Sequence, residues 1–269
     1  MATPDPTAPL STSTEGPIGT IWLNRPAKRN AVSLEMWGQL PELVHQLEAD
    51  DAVRVIVFRG VGDHFCAGAD IATIGAQLTD GEGDTSYRRV NEVAEETIAA
   101  ATKPTIAMLR GSCVGGGCQI SLACDLRLAD STTRLGITVA KLGFTYPSFA
   151  LERCARLIGS SRTKWLLYSG DLVDAVTAER WGMVDEVLAP EALEARVEAL
   201  AQMIASRSLL TIRGTKEMLA SFDASATIDD SVTEFWEREA RQGPDIVEGV
   251  EAFTTKRQAS FTWLRPEGR

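Results

Sequence analysis

Gly111-Ser-Cys-Val-Gly-Gly-Gly-Cys-Gln-Ile-Ser-Leu-Ala-Cys-Asp125 is the stretch on which the reading of the fold turns. The β-forming run Thr105 to Leu109 leads into it, and a segment of helical pattern leaves it. Gly115, Gly116 and Gly117 therefore mark a strand-to-helix turn. Glycine has no Cβ, so another group can approach its backbone closely and its N–H stays accessible. The first N–H groups of a helix lack intrahelical acceptors and carry the positive end of the helix dipole. Such a turn can hold an oxyanion, and by itself it also fits a tight packing turn.

A second stretch, Phe65-Cys-Ala-Gly-Ala-Asp-Ile71, also follows a strand-like run and places small residues where backbone must be approached. A third, Leu23-Asn-Arg-Pro-Ala-Lys-Arg-Asn-Ala31, lies near the start. In this order the three resemble the crotonase (enoyl-CoA hydratase/isomerase) superfamily, over about Gly19 to Phe261. The resemblance implies an α/β fold with a crotonase-like ββα spiral core. It implies an oxyanion hole for an acyl-CoA thioester, made here by the N–H groups of Ala69 and Gly116. It also implies that Lys28, Arg29, Ala31, Ala67, Asp70 and Ile71 line the CoA path. Ala252-Phe253-Thr-Thr-Lys256 resembles the family's closing segment, which assigns Phe253 and Lys256 to CoA as well. CoA is part of the substrate, so no separate cofactor is implied.

Composition narrows the possibilities. The chain has 269 residues, 44% of them hydrophobic, enough for a sizeable core. No apolar run is long enough to cross a membrane. The net charge of −10 argues against general nucleic-acid binding, though a local basic patch can still receive an anion. Five cysteines in apolar contexts point to buried reduced thiols and a cytoplasmic setting. Cys113, Cys118 and Cys124 lack a matching histidine set, so no zinc site is expected.

Residues 1–16 are rich in Pro, Thr and Ser and read as a disordered tail rather than a signal peptide. Residues 17–190 read as the spiral core. Gly19 to Asn24 is a strand, Ser33 caps a helix carrying Met36, Leu40, Leu43, Val44 and Leu47, and Val53 to Phe58 is a buried strand. That order predicts parallel pairing through a right-handed crossover. Residues 72–90 are polar and read as a mobile surface segment beside the site. A helix over 88–102 and strands at Thr105 to Leu109, Leu126 to Ala129 and Arg134 to Ile137 follow. Residues 191–269 read as helices at Glu191 to Ala205, Leu209 to Ser221, Asp229 to Glu239 and Ile246 to Thr255. The resemblance implies that this region builds a homotrimer or homohexamer; the amphipathic pattern equally allows packing within one chain.

The departures from the family pattern concern chemistry. Hydratases of the family add water with two glutamates. By motif matching those positions fall here on Gln119 and Val139, and the position of an isomerase carboxylate falls on Tyr146 or Pro147. An amide orients water but exchanges no proton near neutral pH, and valine has no acid–base chemistry.

Three readings follow. The stretch with Thr138 and Tyr146 resembles methylmalonyl-CoA decarboxylases of the superfamily, in which loss of CO₂ gives the enolate without a base. Those enzymes can carry a histidine where this chain has Ala69. Alternatively, a relocated acid–base group serves a hydratase or isomerase, with Glu152, Asp70 and Asp125 as candidates. In the third reading the chain binds acyl-CoA without turning it over. Of the two histidines, His45 reads as a helix residue and His64 lies near the second stretch without a partner for a triad.

Overall fold

The computed structural model describes residues 3–71 and 87–265. The chain begins with strands β1 (Leu10–Glu15) and β2 (Ile18–Leu23), then a 3₁₀ turn (Pro26–Lys28), helix α1 (Leu34–Ala49) and β3 (Val55–Gly60). Helix α2 (Tyr87–Ala100), β4 (Thr105–Leu109), β5 (Ser112–Val114), α3 (Gly116–Ala123), β6 (Leu126–Asp130) and β7 (Arg134–Gly136) follow. A second 3₁₀ turn (Val139–Lys141) leads to α4 (Ser148–Ser169), β8 (Val173–Asp174), α5 (Ala175–Trp181) and β9 (Glu186–Leu188). The chain closes with α6 (Leu193–Ala205), α7 (Leu209–Ser225), α8 (Asp230–Gln242) and α9 (Asp245–Thr254). The four C-terminal helices thus stand where the periodicity predicts them.

Period-two alternation divides the central strands between two cores. Every residue of β2, β3 and β4 is buried, as parallel strands covered on both faces require. Ile18, Val55, Val57, Ile106 and Met108 pack on Leu193, Val197 and Ala201 of α6. Their neighbours Ile21, Ile56, Phe58, Ala107 and Leu109 point the other way, into the main core with Met36, Trp37, Leu40 and Val44 of α1. Ser33 caps α1 as expected, its hydroxyl accepting the Met36 N–H at 3.3 Å.

The large sheet has the order β1-β2-β3-β4-β6-β9, parallel throughout except for β1 against β2. A smaller sheet, β5-β7-β8, runs beside it, and two single bridges extend it: Cys66 with Cys113 and Val32 with Ala69. After β2, β3, β4 and β6 in turn, the chain bends and adds one rung to this second ladder. That repeated step is the spiral, and it places the three sequence motifs side by side.

One expectation is corrected. Residues 10–15, read as part of a disordered tail, form β1, paired from Leu10 opposite Leu23 to Glu15 opposite Ile18. The turn between them uses Gly16 at φ +56°. Thr12 and Thr14 are β-formers as well as polar, and the edge of β2 offers them a template. Composition alone reads the same residues as disorder.

Candidate active site

The Phe65–Ile71 stretch is clamped on both sides. On one side the Val32 N–H donates to the Gly68 carbonyl (2.8 Å) and the Asp70 N–H to the Val32 carbonyl (2.9 Å). On the other, the Cys66 N–H donates to the Ser112 carbonyl (2.8 Å) and the Val114 N–H to the Cys66 carbonyl (3.0 Å). This ladder leaves the Ala69 N–H without a backbone acceptor among the described residues. The Gly116 N–H, in the first turn of α3, has none either. The two residues lie against each other: a Cβ on Gly116 would stand 3.4 Å from the Ala69 nitrogen and 3.0 Å from the Trp37 ring. Gly115 at φ +52° starts the turn into α3. Gly117 lets α3 seat itself on Cys66, since a Cβ there would lie 2.5 Å from the Cys66 carbonyl oxygen.

The Leu23–Ala31 stretch is brought to the same place. The Ala67 N–H donates to the Arg29 carbonyl (2.9 Å), and the Asp70 carboxylate accepts from Arg25 Nη2 (2.7 Å) and Lys28 Nζ (2.8 Å). The hydrogen bonds from Lys28 and Arg25 hold the Asp70 carboxyl below the usual range. Asp70 is therefore a tether between two loops, and Lys28 is engaged by it. Ala31 is buried with its carbonyl on Arg25 Nη1 (2.7 Å), Arg29 is exposed, and Ile71 is exposed at the end of the described segment. The stretch 72–90, read as a mobile segment, opens helix α2 from Tyr87, and its residues 72–86 lie outside the described residues.

A wall of side chains from α2, α3 and α4 rises behind the glycines. Gln119 is buried and exchanges two hydrogen bonds with Asn91: Gln119 Nε2 donates at 2.9 Å and Asn91 Nδ2 at 3.2 Å. Val139 is buried in its 3₁₀ turn and Thr138 is half-buried just before it. The Tyr146 hydroxyl donates to the Gly115 carbonyl at 3.3 Å, which sets it beside the proposed oxyanion hole. Burial raises its phenol pKa, and the neighbouring Cys118 and Glu95 add to the shift.

Glu95 is a feature that motif reading missed. Its side chain is wholly buried, Arg153 Nη1 donates to Oε1, and Oε2 has no partner among the described residues. Burial pushes its carboxyl up to about 8 against the pull of Arg153. A signal was available: Tyr87, Asn91 and Glu95 recur at i, i+4 and i+8, one face of a helix. All three are polar on a face that elsewhere carries the buried Ala94 and Ile98.

The other candidates are placed elsewhere. Glu152 is 65% exposed and pairs with Arg156 at 3.5 Å. Asp125 accepts from the Thr105 backbone N–H (2.8 Å) and from Lys216 (2.7 Å), which makes it a strand-end clamp. His64 Nδ1 accepts the Ser112 N–H at 3.1 Å, and His45 is exposed on α1. All five cysteines are free and buried, and burial pushes the Cys66 thiol up to about 12, away from nucleophilic use. Phe253 is 85% exposed, and no hydrogen bond or ion pair among the described residues joins Lys256 to the site loops. Among the described residues no cluster of His, Cys, Asp or Glu could hold a metal ion, and no helix is long and apolar enough to cross a membrane.

Comparison with known proteins gives the family and the fold. A family model described as enoyl-CoA hydratase/isomerase matches residues 13–263. A Thermus thermophilus protein, provisionally named an enoyl-CoA hydratase, is 33% identical over 92% of this chain and 98% of its own. The crotonyl-CoA hydratase of Syntrophomonas wolfei is 32% identical over 92% of this chain and 95% of its own. The crystal structure of an enoyl-CoA hydratase/carnithine racemase from Magnetospirillum magneticum superposes with a TM-score of 0.90 at 31% identity, covering 95% of this chain and 96% of that one.

Proposed function

The chain belongs to the enoyl-CoA hydratase/isomerase family, and from that premise we propose that it stabilises a CoA-thioester enolate between the Ala69 and Gly116 N–H groups, reaching the enolate by loss of CO₂ from a malonyl-type acyl group. One observation carries the choice of reaction. The backbone cradle is open, while the positions matched to the hydratase glutamates hold an amide tied to Asn91 and a buried valine. Two preorganised donors in a dry site stabilise a developing oxyanion, and each is worth about 3–4 kcal/mol. Decarboxylation delivers the electron pair to the α-carbon without a base. Water addition needs two proton-transfer groups, one for water and one for the α-carbon.

In this reading the Thr138 hydroxyl, joined by that of Tyr146 once it turns from the Gly115 carbonyl, holds the departing carboxylate out of the thioester plane, and Val139 desolvates it. Gln119, fixed by Asn91, shapes the wall without exchanging protons. Lys28, Arg29, Ala31, Ala67, Asp70 and Ile71 border the CoA path. Phe253 and Lys256 serve the CoA of a neighbouring copy in a trimer or hexamer. α9 leaves Ile246, Val247, Val250 and Phe253 exposed, an apolar face suited to another copy. Five reduced thiols favour a cytoplasmic setting.

Incubation with malonyl-, methylmalonyl- and crotonyl-CoA, followed by mass spectrometry of the thioesters, tests the proposal. Loss of CO₂ from a malonyl-type thioester is the expected result, and hydration of crotonyl-CoA alone would overturn it. Binding with every acyl mass unchanged would point to a non-catalytic carrier. Light scattering tests the assembly, and a stable monomer at micromolar concentration would remove Phe253 and Lys256 from the site. A second reading, isomerisation, is favoured by the buried carboxyl of Glu95. A 1,3-proton shift needs only one group that takes a proton from one carbon and returns it to another.

A further inference from the structure

We propose that Glu95 is the proton-transfer residue of this site, the group that gives the α-carbon of the enolate its proton. The inference rests on the enolate reading above but not on how the enolate is formed. Three observations meet at this residue. Its Oε2 is enclosed and without a partner among the described residues, while Arg153 holds Oε1. It stands one helical turn beyond Asn91, whose amide is locked to Gln119 in the helix that begins at Gly116. It also lies within electrostatic reach of Tyr146, whose hydroxyl touches Gly115. Glu95 therefore stands on the same wall as the side chains nearest the oxyanion glycines.

A carboxyl that only tied α2 to α4 would be expected to satisfy both oxygens, because a buried acceptor without a donor costs stability. One open oxygen marks a place for a hydrogen-bonding or proton-accepting group of a ligand. The step balances. Cleavage of the bond between the α-carbon and the carboxylate releases CO₂, and its electron pair becomes the enolate held by the two N–H groups. The Glu95 carboxyl then gives its proton to the α-carbon, the enolate pair forms the new C–H bond, and Arg153 stays beside the resulting carboxylate. Solvent returns the proton after product leaves.

The surroundings of Glu95 suit a donor near neutral pH. Burial holds the carboxyl near 8, so it carries its proton at pH 7. Among the described residues the charged groups around it are few. Arg153 of α4 faces it, Glu96 adjoins it on α2, and the Tyr146 phenol lies across from it. α3 contributes the uncharged Gln119. From α1, His45 and Glu48 face Glu92 and Glu96 across a surface groove of about 390 Å³ that Glu95 does not line.

The test uses propionyl-CoA, which has no carboxylate to lose. By microscopic reversibility, the group that protonates the enolate also removes the α-proton. The wild-type chain should exchange α-hydrogen for deuterium in D₂O, read by mass spectrometry. Glu95→Gln should slow exchange by about 10²-fold or more while propionyl-CoA affinity stays the same, and Glu95→Asp should recover part of the rate. Unchanged exchange in folded Glu95→Gln would overturn the proposal and leave decarboxylation standing. Wild-type protein that binds propionyl-CoA without exchange would overturn it too, and CO₂ release from malonyl-type thioesters would then judge the enolate reading separately. Should the variant not fold, the wild-type pH profile decides. Proton removal needs the carboxylate, so exchange should rise through a limb near pH 8, and a profile flat across that limb would refute the role.

Discussion

The two walls of the site are built on different principles. The proposed oxyanion side uses backbone: Ala69 and Gly116 present N–H groups that no side-chain change removes, fixed by the ladder that joins Val32, Cys66 and Val114. The opposite side uses side chains from three helices: Asn91 and Glu95 of α2, Gln119 of α3 and Arg153 of α4. In the function proposed above, the first wall sets which intermediate is stabilised and the second sets where protons go. A family can keep the first and exchange the second, which is how one cradle serves several reactions.

The largest effect should come from the backbone wall. Gly116→Val should reduce turnover by about 10²–10³-fold or more, the cost of losing an oxyanion donor. The added Cβ would meet the Trp37 ring at 3.0 Å, and its methyls would enter the space shared with the Ala69 N–H. Circular dichroism should show a retained fold. A folded variant with undiminished rate and thioester affinity would mean that the two N–H groups are not the site.

Changes to the side-chain wall should alter the reaction rather than abolish it. Gln119→Glu combined with Val139→Glu should raise crotonyl-CoA hydration about 10²-fold or more above the parent, since each positioned acid or base is worth about 10²–10⁴. Efficient hydration by the parent, persisting in Glu152→Gln, would show that another group replaces the two glutamates. Tyr146→Phe should have a smaller effect, about tenfold on kcat, because it removes one hydroxyl that donates to Gly115 at 3.3 Å.

The contrast also explains what could be read without coordinates. Backbone donors need glycine at tight approaches, and that leaves a mark in the chain: Gly116 and Gly117 have no room for a Cβ against Trp37 and Cys66, and Gly68 and Gly115 take positive φ. The C-terminal helices are legible from amphipathic spacing for the same local reason. Glu95 leaves no such mark. Its ion-pair partner Arg153 comes from α4, more than fifty positions away in the chain, and a glutamate in a helix is ordinarily a solvated one. Asp70 reads as an acid–base candidate because its loop is legible; its two cationic partners, Arg25 and Lys28, come from the Leu23–Ala31 loop, which only the spiral brings within reach. β1 was hidden because a polar strand and a polar tail share a composition.

The smallest effect is thermodynamic and sharpens the comparison without any substrate. Glu95 has an ordinary value of 4.5 and a folded value of about 8. Between those values the unfolded chain has released this proton while the folded chain still holds it. Stability must therefore fall as pH rises from 4.5 to 8, and level off above. The loss should be on the order of a few kcal/mol at most, since one pKa unit corresponds to about 1.4 kcal/mol. Other shifted groups act in other windows. Asp70, lowered below 3.8, takes stability away only as pH falls into the acid range, and Lys103, lowered from 10.5 to about 8, acts above pH 8. Glu95→Gln cannot titrate, so its unfolding midpoint in urea should change less between pH 5 and pH 8 than that of the parent. Parallel midpoints for the two proteins across that range would mean that Glu95 is ionised in the folded chain and closed off by Arg153. The side-chain wall would then be a structural clamp, and only the backbone wall would carry chemistry.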